Sequence, residues 1–162
     1  MRRAGAVCCL AAAFCLTGCG KASLPYAREM GDMALLRTMG VDAAGDGQVR
    51  VTVSTGKRAV GLQGETQPPL VLSAQGDSLS AVCLSMQGLS DSYVFYGYVD
   101  QLLVGEAAAL EGIEPILDYF SRDVELGLGV QLWLVRGNTA QAAMEMGKED
   151  GVESRLSTLQ TD

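Results

Sequence analysis

The sequence contains no histidine. That removes every Ser-His-Asp and Cys-His nucleophile pair and the commonest transition-metal ligand. Other catalytic signatures are missing as well. Gly88-Leu89-Ser90-Asp91-Ser92 lacks the last glycine of a nucleophile elbow. Gly56-Lys57 falls short of a phosphate loop, because Val51 stands where the first glycine belongs and Arg58 where Ser or Thr belongs. Asp42 and Asp46 lack the acidic spacing of an EF-hand. No catalytic residue, metal ligand or cofactor site is expected, and the protein is expected not to be an enzyme. Basic residues are scarce: 12 Lys and Arg stand against 19 Asp and Glu, for a net charge of −7. Without a basic stripe, nucleic acid is not an expected partner, and neither is electrostatic attachment to anionic lipid.

Long apolar runs are also missing. The longest, after Arg2 and Arg3, covers about 13 residues to Leu16, whereas a spanning helix needs roughly 20. Two arginines, a short apolar stretch and Leu16-Thr17-Gly18-Cys19 have the layout of a secretory signal, here of the bacterial lipoprotein type. Cleavage is expected before Cys19, with acylation of its thiol and its new amino group. Several chains on one residue give a stable anchor where one would be marginal. Residues 1–18 are then signal and 19–32 a tether. Loss of Arg2 and Arg3 leaves ten basic residues against 19 acidic ones in the remaining 144.

Paired cysteines are lacking too. Cys8, Cys9 and Cys15 leave with the signal and Cys19 is acylated, so Cys83 is the one thiol left and no internal disulfide forms. A domain of this length can rely on its hydrophobic core alone. Cys83 lies among Val82, Leu84 and Met86 with no basic neighbour, the setting of an inert core thiol.

What is present is alternation of strands and helices. Residues 33–41 read as an apolar first strand and 42–47 as a turn rich in Asp and Gly. Residues 48–55 alternate, with Val49, Val51 and Val53 on one face and Arg50, Thr52 and Ser54 on the other. The pair reads as a β-hairpin. Residues 56–69 are polar, with Gly and Pro, and read as a loop. A short strand at 70–74 precedes a helix capped by Asp77 or Ser78, with Leu79, Val82, Cys83, Met86 and Leu89 on one face. Residues 99–104 form a strand and 106–111 a helical turn. Ile113, Ile116, Leu117 and Phe120 keep helical spacing, with Pro115 tolerated in the first turn. Glu111, Glu114 and Asp118 share that helix's other side, read as a solvated face. Residues 129–135 alternate again, with Val130, Leu132 and Leu134 on one face. Asn138 or Thr139 caps a helix to about 147, and a polar helix covers 149–159. The expected class is α/β (α+β): a mixed sheet beginning with a hairpin, helices packed on it.

Four stretches carry a family resemblance. They are Leu16-Thr17-Gly18-Cys19; Arg28-Glu29-Met30 leading to Met39-Gly40-Val41-Asp42 and Val49-Arg50-Val51-Thr52-Val53; Phe95-Tyr96-Gly97-Tyr98 through Leu103-Val104-Gly105-Glu106; and Gly112-Ile113 through Asp118-Tyr119-Phe120 and Ser121-Arg122-Asp123 to Gly137-Asn138-Thr139-Ala140. In this order they resemble the N-terminal domain of the Ger(x)C lipoproteins, the C subunits of nutrient germinant receptors of bacterial spores. Two departures stand out: Gly20-Lys21 replaces the family's frequent Trp-Asp after the lipid cysteine, and Tyr98 its usual histidine. Members typically continue into a C-terminal domain, and the domain expected at 33–162 is the N-terminal one alone. The resemblance implies a non-catalytic subunit on the outer face of the spore inner membrane, partnered by the receptor's A- and B-type membrane subunits.

Tyr93, Tyr96 and Tyr98, with Phe95, are candidate partner contacts, because tyrosine offers apolar area with a polar tip. Their alternative role is to fill the core beneath the sheet edge. Two other function classes stand beside the receptor subunit: a free-standing solute-binding lipoprotein and a surface hydrolase working through carboxylates. A pocket with converging polar groups points to these; an exposed apolar patch points to docking.

Overall fold

A computed structural model describes residues 30–60, 65–127, 129–147, 149 and 151–159. Valine alternation produces the long hairpin. β2 (Thr38–Gly45) and β3 (Gln48–Ser54) pair antiparallel, with Val41 opposite Val51 and Met39 opposite Val53. The connection is tighter than the expected 42–47 turn. Only Asp46 and Gly47 turn, and with Gly45 at the end of β2 they take positive φ, the conformation that glycine adopts without cost and Asp tolerates. Asp42 therefore belongs to the strand.

β6 (Val71–Gly76) adds antiparallel to β3, while β8 (Gln101–Gly105) and β9 (Gln131–Val135) add parallel on the far side of β2. The five-stranded order is β6-β3-β2-β8-β9. The crossovers into the parallel strands carry α1 (Leu79–Met86) before β8 and α2 (Glu106–Glu111) and α3 (Glu114–Arg122) before β9, and α4 (Ala140–Met146) and α5 (Val152–Leu159) follow β9. Among the alternative caps, Ser78 Oγ accepts from the Ala81 amide and Thr139 Oγ1 from the Ala142 amide.

Both faces of the sheet are covered, and the mixed α/β class is confirmed. In front, Met39, Val41, Val51, Val53, Leu102 and Val104 pack against Val82 and Met86 of α1 and Ile116 and Phe120 of α3. Behind, Leu103 packs with Ala140, Met144, Val152 and Leu156, flanked by Trp133 and Val135. Coverage of the rear face explains why Thr52 and Ser54, placed opposite the valines, are buried.

Three of these expectations change. The first strand, 33–41, is two strands. β1 (Met33–Leu35) pairs parallel with β7 (Tyr93–Phe95) in a separate sheet. The chain crosses to the main sheet at Leu36 and Arg37, whose amides donate to the Phe95 and Ser54 carbonyls. The 56–69 loop holds a small antiparallel pair, β4 (Arg58–Val60) with β5 (Glu65–Gln67). The α1 pattern stops at Met86, and Leu89 in the following 3₁₀ turn is exposed. Here the Gln87 side chain donates to the Val94 carbonyl and accepts from the Val94 amide, so it serves as one extra rung beside β7. On β9, Leu132 and Leu134 share one face as expected, and at 48% and 58% exposed that face meets solvent, while Trp133 turns to the rear core. β9 is the edge strand, and among the described residues no helix covers the front of its leucines.

Candidate functional site

The sheet positions two features at the ends of β2 and β8. The first is a carboxylate. Asp42 is 2% exposed. Its Oδ1 accepts from the Ala140 amide at 2.6 Å and its Oδ2 from the Gln141 amide at 2.9 Å. These are unpaired donors in the first turn of α4, so a residue 98 positions away supplies part of that helix's cap. Two glycines make room. A Cβ at Gly105 would fall on Asp42 Oδ1, and one at Gly40 would lie 2.9 Å from Met144 Sδ and 3.0 Å from Ala140 Cβ. Gly40 and Gly105 thus let α4 lie against the sheet while Asp42 holds its end.

The second feature is a groove of about 610 Å³ on the front, between the start of α1, α2 and α3, over the hairpin tip. Its floor is apolar, formed by Val41, Ala43, Val49, Leu79 and Ile116. Its rim carries Asp77, Glu111, Asp118 and Asp123, with Arg122 as the basic member. Arg122 Nε already donates to Asp118 Oδ1 at 2.8 Å. Asp77 accepts from Gln48 Nε2 at 3.0 Å, and Asp123 from the amides of Glu125 and Leu126. Of the carboxylates read as a solvated face, Glu111 and Asp118 line this rim, and Glu114 is exposed outside it.

The aromatic stretch divides. Tyr96 is 7% exposed and its hydroxyl donates to the Cys83 carbonyl at 3.0 Å, so it is a core residue with no surface to present. Tyr93 is half-buried, its hydroxyl donating to Glu125 Oε1 at 3.1 Å. Tyr98 is 52% exposed, edge-on to Phe95 at 5.9 Å between ring centroids. Cys19 lies outside the described residues.

Burial keeps the reactive groups neutral. It pushes the Cys83 thiol above its ordinary 9.0, opposed only in part by the hydroxyls of Tyr119 and Tyr96. Burial, with Cys83 alongside, pushes Tyr96 and Tyr119 well above 10.0. All three are acids that ionise first in the unfolded chain. Their contribution to stability is complete below about pH 9 and is lost as pH rises through 9 for the thiol and 10 for the phenols. The urea midpoint should stay level between pH 7 and about pH 8.5, then fall, and Cys83→Ala should delay the onset of that fall. A midpoint that stays level to about pH 11 would contradict this assignment.

Among the described residues, no group of three or more acidic or cysteine side chains is placed to hold a metal ion, and no helix is long and apolar enough to cross a membrane. A family model described as "spore germination protein N-terminal domain" matches residues 26–158, a span that includes the rim and floor of the groove and the Asp42 junction. No curated protein and no solved structure matches the chain.

Proposed function

The chain belongs to the spore germination protein N-terminal domain family, and from that premise we propose that it is a non-catalytic lipoprotein subunit of a nutrient germinant receptor. The observation that carries this reading is the family match across residues 26–158. Acyl chains on Cys19 hold the domain at the outer face of the spore inner membrane, beside A- and B-type membrane subunits. Confinement to that surface raises the effective concentration of the partners without any new contact. Exposed apolar side chains support docking: Leu132 and Leu134 on β9, and Tyr98 after β7.

A second reading, a free-standing solute-binding lipoprotein, draws on the groove, whose volume falls within the range of about 300–1,000 Å³ common for ligand pockets. Genetics separates the two. Deleting the gene should slow nutrient-triggered germination and leave germination by receptor-bypassing agents intact. Cys19→Ala should abolish labelling by a fatty-acid analogue, release the protein from the membrane fraction and reproduce the deletion. Tyr98→Ala should reduce recovery of receptor subunits from spore membranes at an unchanged melting temperature. Normal nutrient germination in a deletion strain without a redundant receptor would remove the receptor-subunit reading.

A further inference from the structure

We propose that the front groove is the docking site for a basic segment of a partner protein, with lysine or arginine flanking apolar side chains. This deepens the receptor-subunit reading and rests on it. Three observations carry it. The floor residues Val41, Ala43, Val49, Leu79 and Ile116 are apolar, and the uncharged polar side chains of the lining are Ser78, Ser80 and Tyr119. The rim holds four carboxylates against one guanidinium, and that guanidinium is already paired with Asp118. Asp77, Glu111 and Asp118 are exposed at the rim.

The division of polar and apolar groups identifies the occupant. A pocket for a small polar solute sets a few converging polar groups among its apolar walls to fix the ligand's orientation. Here the charges ring an apolar centre, which is the anatomy of a protein interface, apolar in its core and polar at its rim. The sign of the rim then selects the partner. Positive side chains placed around an apolar anchor meet the excess carboxylates, while an acidic segment meets like charge and is rejected. Apolar side chains between those charges enter the floor and displace water from it.

The test uses the full mature protein in a non-ionic detergent and a fluorescein-labelled twelve-residue peptide of alternating lysine and leucine pairs. A second peptide replaces every leucine with serine at the same charge. Fluorescence polarisation should show binding of the lysine–leucine peptide and at least tenfold weaker binding of the lysine–serine peptide. Ala43→Leu, which fills the floor and keeps every charge, should weaken binding at least tenfold. So should Glu111→Gln with Asp118→Asn, both exposed, which keeps the test open if Ala43→Leu lowers the melting temperature. A control with the same charge change on other exposed residues, Glu145→Gln with Glu149→Gln, should alter affinity less than twofold.

Absence of binding at about 100 μM peptide overturns the proposal. Equal binding of the serine peptide, or equal weakening by the control, also overturns it and assigns the attraction to overall acidity. Displacement by millimolar free lysine would give the groove to a small cation, and self-association that excludes the peptide would give it to a second copy; either overturns the proposal. If the peptide fails while gene deletion still slows nutrient germination, the groove assignment alone falls and the receptor role stands.

Discussion

Asp42→Ala should lower the melting temperature by about 10–20 °C. The carboxylate is buried and accepts from two amides of α4. Hydrogen bonds to a charged group contribute about 1.5–3 kcal/mol each, and the amides left behind would be buried donors without partners. Together with the loss of a helix cap, this puts the cost at about 3–5 kcal/mol. At roughly 3–5 °C per kcal/mol for a domain between small and medium size, the shift follows. Asp42→Asn keeps one carbonyl acceptor and turns its amide group toward the other donor, so it should fall between parent and alanine variant. Gly105→Ala reaches the same junction from the other side, because its Cβ would clash with Asp42 Oδ1. Differential scanning calorimetry on the three variants checks the assignment. A D42A protein melting within about 1 °C of the parent would show that α4 does not depend on this carboxylate.

Val51→Asp should leave no cooperative unfolding transition at all. Val51 is 0% exposed at the centre of β3, between Val41 and Ala74 in register. Among the described residues the front core around Val51 is built of apolar side chains, and an unpaired buried charge costs far more than a neutral polar group. Set against the total stability of about 5–15 kcal/mol typical of a domain, that is enough to unfold it. Val51→Ala should cost only about 2 kcal/mol, as expected for losing two buried methyl groups and leaving a small cavity. Leu132→Asp is the informative partner. It also places a carboxylate on an apolar position of an alternating strand, yet Leu132 is half exposed on β9. Its effect should stay within about 0.5 kcal/mol, as for surface positions away from special features. Circular dichroism melts would reverse the facing assignments of both strands if V51D melted like the parent and L132D unfolded.

The contrast between these valine and leucine positions shows where reading the chain stops. The alternation of residues 129–135 correctly marks a strand and its two faces. It does not say which face is inside, because Leu132 and Trp133 are both apolar and only the helices laid down afterwards decide. At Val49, Val51 and Val53 the opposite face carries Arg50, Thr52 and Ser54; that difference in polarity marked the front core, but not the burial of Thr52 and Ser54 beneath the rear helices. The groove was legible only in parts. Glu111 and Asp118 stand out as a carboxylate pair, and Val41 and Ile116 as core residues. Their meeting around one depression requires the hairpin tip, the start of α1 and α3 to come together. Tyr96 could not be told from Tyr98 in advance, since two aromatic residues two apart on a short stretch look alike until one hydroxyl finds the Cys83 carbonyl.

What the sequence determined by itself is whatever depends on near neighbours. The alternating valines make β3, a cap at Asp77 or Ser78 starts α1 and one at Asn138 or Thr139 starts α4, and the glycines at 45 and 47 close the hairpin. The motif order in addition led to the family. Tertiary structure alone decided the rest. It split the first apolar run between two sheets at Leu36 and Arg37, turned Leu132 and Leu134 outward, and took Asp42 out of a turn to hold the end of a helix 98 residues downstream. The physical reason is the range of the interactions. Propensity, capping and turn chemistry act within a few residues, whereas burial and the pairing of a buried carboxylate depend on which distant segments the completed sheet brings into contact.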